Sequence, residues 1–344
     1  MPASRRRRVL RAIGAAALMV ALHAFAPVAR AQSDTTPPVP APGRLIDLGG
    51  WRLHLHCTGE TRPAQPTVVL EAGAGGFSVD WSLVQPEVSR FARVCSYDRA
   101  GAGWSDLGPR PRTLRQITWE LHELLRRAGE RPPYMLVGHS YGGTIARQYA
   151  FTHRDEVAGI VFDESGHERG TMVFRNGRMI RLVDSATGRP VPEPKTSDPL
   201  RVADIPPAIR AQIEQAAQQM VKQAGRARLP RDAQAMRTWS FGQIKHWAAN
   251  DNPFEGEELA ALLARWSTKP HAFGDMPIVV LSRGLPESPD TLRERAHARD
   301  QAELLTLSRR ARQVIARHAG HDIMIDEPEV TIAAIRDVLA ATRR

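Results

Sequence analysis

The five-residue run Gly138-His-Ser-Tyr-Gly142 carries the residues best suited to chemistry. It fits the G-x-S-x-G pattern, in which a serine sits on a tight turn from a strand to a helix and side chains at the glycine positions would collide with the turn. A buried strand pattern, Tyr134–Val137, precedes the run, and a helical pattern to Phe151 follows it. This context predicts that Ser140 is an exposed nucleophile able to form a covalent intermediate.

A nucleophilic serine that attacks a carbonyl also needs donors for the oxyanion that develops. The first N–H groups of a helix are unpaired and lie at the positive end of its dipole, so the N–H of Tyr141 is the first predicted donor. The second is expected from the small-residue loop 71–76, and by position Ala74 is favoured. The alternative is that this loop is merely a tight turn.

Ser140 requires a general base within reach, and His321 is the predicted one. It follows the last short strand pattern, Gln313–Ala316, and a turn at Gly320, directly before the final helix. Its position agrees with a chain order of nucleophile, acid and then histidine. His318 is the rival base. Three other histidines are expected to be structural: His139 beneath the nucleophile, and His54 and His56 on a strand.

The elements that position these residues alternate between strands and helices. Such alternation predicts an α/β protein with a mostly parallel sheet covered on both faces. One helix is well delimited, because Thr113 can cap its start and Gly129 can end it. Pro328 is expected near the start of the last helix. Strands are predicted near 45–48, 51–56, 67–70, 93–97, 134–137, 159–162, 277–281 and 313–316.

Between residues 166 and 274 the alternation fails. Ala/Gln/Arg-rich pieces such as 208–225 and 257–266 predict a helical cap inserted into a core of residues 44–165 and 275–344. Such a cap would cover Ser140 and shape a pocket. The aromatic residues that could line the pocket, or else pack the cap on the core, are Trp239, Phe241, Trp247, Phe254 and Trp266.

The first 31 residues are predicted to be a cleavable signal peptide. An arginine-rich start, an apolar run over 13–25 and Ala29-Arg30-Ala31 match the three regions of such a signal, with cleavage after Ala31. The run is shorter than the roughly 20 apolar residues that cross a bilayer. A periplasmic or secreted protein is therefore expected, without a stable membrane span after cleavage. Residues 6–11 resemble a twin-arginine signal. Residues 32–43 are predicted to be a Pro-rich linker. The alternative to a cleaved signal peptide is an uncleaved amphipathic N-terminal anchor.

Charge and cysteine content restrict the partners. The net charge of +10 falls to about +4 without the signal peptide, because six arginines and no acids lie in it. No basic run interleaved with aromatics is present, so nucleic-acid binding is not expected. Cys57 and Cys95 are the two cysteines. They predict either a disulfide in an oxidising compartment or two buried thiols, and no metal site.

Four segments together resemble the α/β-hydrolase superfamily, most closely its bacterial esterase-like members with a helical cap. These segments are 70–76, 94–105, 136–143 and Gly320-His321. The resemblance covers roughly 44–165 and 275–344, whereas the cap matches only in placement. It implies an eight-stranded, mostly parallel sheet, acyl-group hydrolysis through a covalent intermediate, and no cofactor. Many relatives have His-Gly at the start of the oxyanion loop, where Glu71-Ala72 stands here, so the second donor is uncertain by one residue.

The resemblance also guides the choice of the third catalytic residue, the carboxylate that orients the base. Glu164 occupies the place where relatives that use the earlier of two strands carry their acid. Asp290, on the later strand's loop, and Asp163 are the alternatives. The neighbouring pair Asp98-Arg99 is expected to tie down the loop beside the site rather than to act in catalysis.

These residues predict a serine hydrolase that cleaves small-molecule carboxylic esters through an acyl-enzyme. Ser140 at the nucleophile position argues against haloalkane dehalogenases and epoxide hydrolases, which attack with a carboxylate. A cofactor-free haloperoxidase, a lactonase, an amidase or a C–C hydrolase would use the same three residues. A binding protein without catalytic activity on the same scaffold is the alternative of a different class.

Overall fold

The computed structural model describes residues 36–175, 178–191, 226–243, 245–246 and 252–343. The predicted signal peptide 1–31 and the predicted helical piece 208–225 lie outside these ranges, as does Trp247. None of the helices in the described ranges combines the length and the hydropathy that a membrane crossing requires.

The core is an eight-stranded sheet with the strand order β1-β2-β4-β3-β5-β6-β9-β10. The first two strands are antiparallel to their neighbours, and all remaining pairs are parallel. This is the α/β-hydrolase sheet that the sequence predicts. Within the residues that the structure describes, the strands in chain order are β1 Arg44–Asp47, β2 Arg52–Thr58, β3 Thr67–Glu71, β4 Val94–Tyr97, β5 Tyr134–His139, β6 Val157–Asp163, β7 Met172–Arg175, β8 Arg178–Arg181, β9 Ile278–Arg283 and β10 Ala311–Ala316.

Helices cover both faces of the sheet and bury two apolar clusters. The central strand β5 is buried along its whole length, because it has neighbours on both sides and helices above and below it. In the described ranges the α-helices are α1 Gln85–Ser89, α2 Leu114–Ala128, α3 Tyr141–Thr152, α4 Arg231–Phe241, α5 Glu255–Trp266, α6 Thr291–Glu303, α7 Ile323–Asp326 and α8 Pro328–Ala341.

Helix α2 has the ends that its sequence predicts. The Thr113 side chain accepts a hydrogen bond from the backbone N–H of Gln116, and Gly129 ends the helix with a left-handed φ of 82°. The helix buries the leucines and isoleucine of one face against the sheet and α3. Helix α2 therefore supports α3, the helix that begins beside Ser140.

The segment between β6 and β9 is not purely helical, which corrects the prediction for the insertion. It contains a two-stranded antiparallel sheet, β7 with β8, before helices α4 and α5. Helix α5 includes the predicted helical piece 257–266. The Ala, Gln and Arg content of the whole segment favours helices, whereas the Asn-Gly dipeptide at 176–177 is a sequence typical of hairpins.

Cys57 and Cys95 form a disulfide that joins β2 to β4. The two cysteines are directly opposite each other in the antiparallel pair. Of the two arrangements that the sequence allowed, the structure therefore has the disulfide, which covalently links the antiparallel edge of the sheet to its parallel part.

Candidate active site

Ser140 lies on a strained turn between β5 and α3. Its backbone has φ 51° and ψ −121°, a conformation that residues with a side chain rarely adopt. A Cβ on Gly138 would lie 2.6 Å from the carbonyl oxygen of Gly142, and one on Gly142 would lie 2.3 Å from that of Glu71. The two glycines of the motif are therefore sterically required, the first by the turn itself and the second by the end of β3.

The structure brings Ser140 and His321 together. The Nε2 atom of His321 lies 3.0 Å from Ser140 Oγ, a hydrogen-bonding distance that suits removal of the hydroxyl proton. His318, the rival base, is exposed, and its backbone N–H donates to Glu327. This geometry favours His321 over His318 as the base for Ser140.

His139 supports the loop that carries the base. Its ring is buried beneath the turn, as the sequence predicts, and its Nε2 atom lies 2.9 Å from the backbone carbonyl oxygen of His321. Burial, together with any positive charge on His321, lowers the pKa of His139 to about 4. At neutral pH the His139 ring is therefore neutral and can donate from Nε2 to that carbonyl.

The predicted oxyanion loop packs directly against the nucleophile. A Cβ on Gly73 would lie 3.2 Å from the Cβ of Ser140, so the backbone of the loop approaches the serine closely. Ala72 and Gly73 are buried, whereas Ala74 is exposed. Tyr141 is the first residue of α3, the position from which its N–H can face an oxyanion.

Arg99 fixes the position of the loop 71–76. Its guanidinium donates to the carbonyl oxygens of Ala72 at 2.7 Å and of Gly73, and it pairs with the buried carboxylate of Glu71. Tyr97 donates its hydroxyl hydrogen to the same carboxylate. Arg99 therefore ties down the loop beside the site, as the sequence predicts.

Asp98, the neighbour of Arg99, fixes two further backbone segments. Its carboxylate accepts hydrogen bonds from the N–H groups of Ser78 and Trp104, both at 2.9 Å. It also lies 3.0 Å from Nδ1 of His54, which gives that buried histidine its expected structural role.

Replacing Arg99 with methionine is expected to lower the free energy of unfolding by about 3–5 kcal/mol, because Glu71 would be left buried without its cation. Ester turnover should fall as well, since the loop carbonyls lose their donors. Urea unfolding and kcat measure the two effects. Arg52→Met is the matched control: it breaks a half-exposed pair with Asp106, and a loss within about 1 kcal/mol is expected. Equal losses in the two variants would contradict the role given to Arg99.

Glu164 is buried at the end of β6 and also has a positive φ, 46°. Its carboxylate accepts hydrogen bonds from the backbone N–H of Arg283 at 2.8 Å and from the guanidinium at 2.7 Å, and Nε2 of His297 lies 2.8 Å away. Burial raises the pKa of Glu164, but His297 and Arg283 outweigh burial and hold it below its usual value. The side chain is therefore a buried anion.

The structure does not place Glu164 in hydrogen-bonding contact with His321. Among the described residues, the carboxylate of Glu164 is engaged by Arg283 and His297, and the ring of His321 hydrogen-bonds to Ser140. The charge of Glu164 nevertheless acts on the ring of His139, the residue before the nucleophile. The anion thus lies close enough to the site to influence it electrostatically.

The two alternative acids have other partners. Asp290 is exposed and caps α6 by accepting from the N–H groups of Leu292 and Arg293. Asp163 is fully buried and accepts a hydrogen bond from the hydroxyl of Thr331 at 2.7 Å. Burial raises the pKa of Asp163 to about 7, so a large fraction of it is protonated near neutral pH. Of the three candidates, Glu164 is the buried carboxyl that is held in its charged form.

The raised pKa of Asp163 predicts a pH-dependent cost to stability. The folded protein holds this proton more tightly than the unfolded chain, whose pKa is near 3.8, so stability falls as pH rises from about 4 to 7. Asp163→Asn removes this dependence. Relative to the parent protein, the variant should gain on the order of 2–4 kcal/mol between pH 4 and pH 8. Urea unfolding at both pH values measures the difference, and a constant difference would contradict burial of a titrating Asp163.

The aromatic residues of the insertion divide between two roles. Phe241 lies against the oxyanion loop, 3.3 Å from where a Cβ on Gly75 would be. Trp266 is buried in the core, where its indole nitrogen lies 3.4 Å from Glu168. Trp239 is half-buried and Phe254 is largely exposed. Phe241 is therefore the member of this set best placed to border a pocket over Ser140.

Lys245, which sequence analysis did not single out, fastens the insertion to the core. Its buried ammonium donates to the carbonyl oxygens of Gly103 at 2.9 Å and Ser105 at 2.7 Å, and burial lowers its pKa to about 8. Arg283 and His297, the partners of Glu164, were also missed. Arg283 comes two residues after Leu281, the end of the apolar strand pattern, a position where a charged residue could have been singled out.

Comparisons with known proteins agree with this fold. A family model described as the alpha/beta hydrolase fold matches residues 66–328. An AB hydrolase superfamily protein of Gibberella zeae is 25% identical over 310 residues, which cover 82% of this chain and 89% of that protein. The probable transporter efuK of Hormonema carpetanum is 36% identical over 129 residues, but these cover 36% of this chain and only 18% of that protein.

Solved structures agree in fold. A thermophilic esterase from Thermogutta terrifontis superposes with a TM-score of 0.54 at 18% identity, over 88% of this chain and 99% of the esterase. The enol-lactonase from Burkholderia xenovorans superposes with a TM-score of 0.58, also at 18% identity, over 86% of this chain and all of the lactonase. At this level of identity the likeness extends to the fold alone.

Proposed function

The chain belongs to the α/β-hydrolase fold family, and from this premise we propose that it is a serine hydrolase that cleaves carboxylic esters of small molecules. The observation that carries the proposal is the 3.0 Å contact between Ser140 Oγ and His321 Nε2 at a strained strand-to-helix turn. A hydroxyl and an imidazole so arranged form a nucleophile and its general base. Ser140 at this position also distinguishes the chain from hydrolases of the same fold that attack with a carboxylate.

In the proposed reaction His321 takes the proton of Ser140 while Oγ attacks the ester carbonyl carbon. The N–H groups of Tyr141 and Ala74 stabilise the oxyanion of the tetrahedral intermediate. The C–O bond to the alcohol then breaks, and His321 returns its proton to the departing oxygen. Water, deprotonated by the same histidine, then attacks the acyl carbonyl carbon. The bond from that carbon to Ser140 Oγ breaks, His321 returns the proton to Oγ, and the carboxylic acid leaves.

We assign Glu164 as the carboxylate that stabilises the imidazolium form of His321. Two features support the assignment: Glu164 is a buried anion, and it follows β6, the strand beside the nucleophile strand β5. A buried anion favours the positive charge that develops on a neighbouring imidazole during the attack. Its present partners, Arg283 and His297, keep it charged and fix its position.

The substrate is proposed to be an uncharged or weakly polar ester with an apolar acyl or alcohol group, because Phe241 borders the oxyanion loop. Lactones are cyclic esters and fall within the same chemistry. We further propose export to the periplasm or the medium. The Cys57–Cys95 disulfide supports this location, since such bonds persist in oxidising compartments.

The proposal is tested by trapping the acyl-enzyme. Residues 32–344 are mixed with a p-nitrophenyl ester series of increasing chain length and quenched within the first turnovers. Mass spectrometry of the intact protein should find the acyl mass added once, and mass spectrometry of its peptides should find that mass on the peptide that contains Ser140. A panel of amides, lactones and epoxides is run in parallel. Epoxide opening without acylation of Ser140 would overturn the proposal, and lactone turnover with acylation would refine it.

A further inference from the structure

Three side chains of types that can bind a metal lie close together between α2 and the C-terminal end of α3, the end away from Ser140. They are His122 in α2, His153 directly after α3, and Glu156 in the short 3-10 turn that follows. One nitrogen or oxygen atom from each lies within 4.8 Å of the others. We propose that these residues form a divalent-cation site of the kind that Zn²⁺ occupies. Sequence analysis predicted no metal site from the two cysteines, and this cluster has no local sequence signal, since His122 is 34 residues from Glu156.

The two histidines are already close together without an ion. Their rings stack with centroids 4.2 Å apart and an angle of 4° between the planes. His122 Nε2 lies 3.1 Å from Glu156 Oε1. A metal ion binds in the plane of an imidazole ring, so one of the two stacked rings would turn about its Cβ–Cγ bond when an ion joins these neighbouring side chains.

An outer partner holds one of the ligands in place. Tyr149 donates its hydroxyl hydrogen to Glu156 Oε2 at 2.8 Å, which leaves Oε1 directed toward His122. Hydrogen-bonding groups in such positions orient metal ligands. The arrangement thus includes the ligands and a group that supports one of them.

The donor set indicates the class of ion. Two imidazoles and one carboxylate suit Zn²⁺, Cu²⁺ or Ni²⁺ better than Ca²⁺ or Mg²⁺, which prefer all-oxygen sites. All three ligands are half-buried, so water can complete the coordination and the ion can enter from solvent. A second group in the described part of the chain, Cys57, Cys95 and Glu130, is excluded because its two sulfur atoms are joined in a disulfide.

The test is titration of EDTA-treated, dialysed protein (residues 32–344) with ZnCl₂ by isothermal calorimetry. One ion per chain at micromolar affinity is expected, with a rise in Tm, because ligands that bind only the folded state stabilise it. His122→Ala and His153→Ala should each weaken binding at least tenfold. Tyr149→Phe, which keeps all three ligands, should weaken it by a smaller factor within the range of about 10–100-fold seen for outer partners.

His271→Asn is the matched control, since His271 is exposed elsewhere and has the left-handed φ of 60° that asparagine tolerates. This variant should keep the parental Zn²⁺ affinity. Circular dichroism in EDTA establishes that each variant is folded. If a histidine variant is unfolded, Glu156→Gln replaces it in the comparison. Absence of binding in the parent protein, or parental affinity in both histidine variants, would overturn the proposal.

Discussion

Replacing Ser140 with alanine is expected to lower kcat for p-nitrophenyl ester hydrolysis by about 10⁴–10⁶-fold, to the level of the oxyanion donors alone. The reason is that alanine lacks the Oγ atom, which lies 3.0 Å from the base His321, so no acyl-enzyme can form. Initial rates over a substrate series measure the effect. The variant should also lose covalent labelling by a fluorophosphonate.

The same assay distinguishes His321 from His318 as the general base. His321→Ala should lose a comparable factor, whereas His318→Ala should keep kcat within a few-fold, because the His318 ring is exposed. Circular dichroism establishes that all three variants are folded. Equal rates in the parent protein and Ser140→Ala would mean that the strained turn does not carry the nucleophile.

Replacing Glu164 with glutamine is expected to lower kcat by about 10²–10⁴-fold, the range found when the carboxylate behind a catalytic histidine is neutralised. Glutamine keeps the size of the side chain and can still accept hydrogen bonds from Arg283, but it removes the buried negative charge. The imidazolium of His321 would then lack its stabilising anion. Steady-state kinetics at several pH values measure the loss.

Two neutralising variants provide the comparison for Glu164→Gln. Asp163→Asn and Asp290→Asn remove the alternative carboxyl groups and should each keep kcat within a few-fold, because Asp163 titrates near pH 7 and Asp290 caps α6. Near-normal activity of Glu164→Gln would eliminate its assignment. A large loss in either aspartate variant would transfer the role to that residue.

The strands and helices of the core could be predicted where capping or turn residues in the sequence coincide with a run of buried apolar residues. Helix α2 has the Thr113 cap and the Gly129 end that its sequence predicts, and β5 ends where the G-x-S-x-G motif begins. These features depend on neighbouring residues along the chain. The proximity of Ser140 and His321 could be predicted for the same reason, because each residue follows a recognisable strand.

Features that depend on distant residues were not predictable. The pairing of Glu164 with Arg283 and His297 joins positions more than a hundred residues apart, and nothing local to Glu164 indicates it. The sequence allowed a disulfide or free thiols, and the choice followed only from the register of β2 with β4. The β7–β8 hairpin differs from these features, because the sequence contains a local signal for it, the Asn-Gly dipeptide at 176–177. The helix-favouring composition of the whole segment obscures that signal.

The Cys57–Cys95 bond closes a covalent ring of chain around β3 and the oxyanion loop. The most exposed stretch inside that ring is 60–64, between β2 and β3. A protease that cuts after Glu60 would leave both new ends attached to one molecule, with β3 still paired between β4 and β5. We therefore expect a nicked enzyme to keep its nucleophile and base assembled until a reductant opens the bond. If the protein is exported as proposed, it would retain its activity after an extracellular protease cuts this loop.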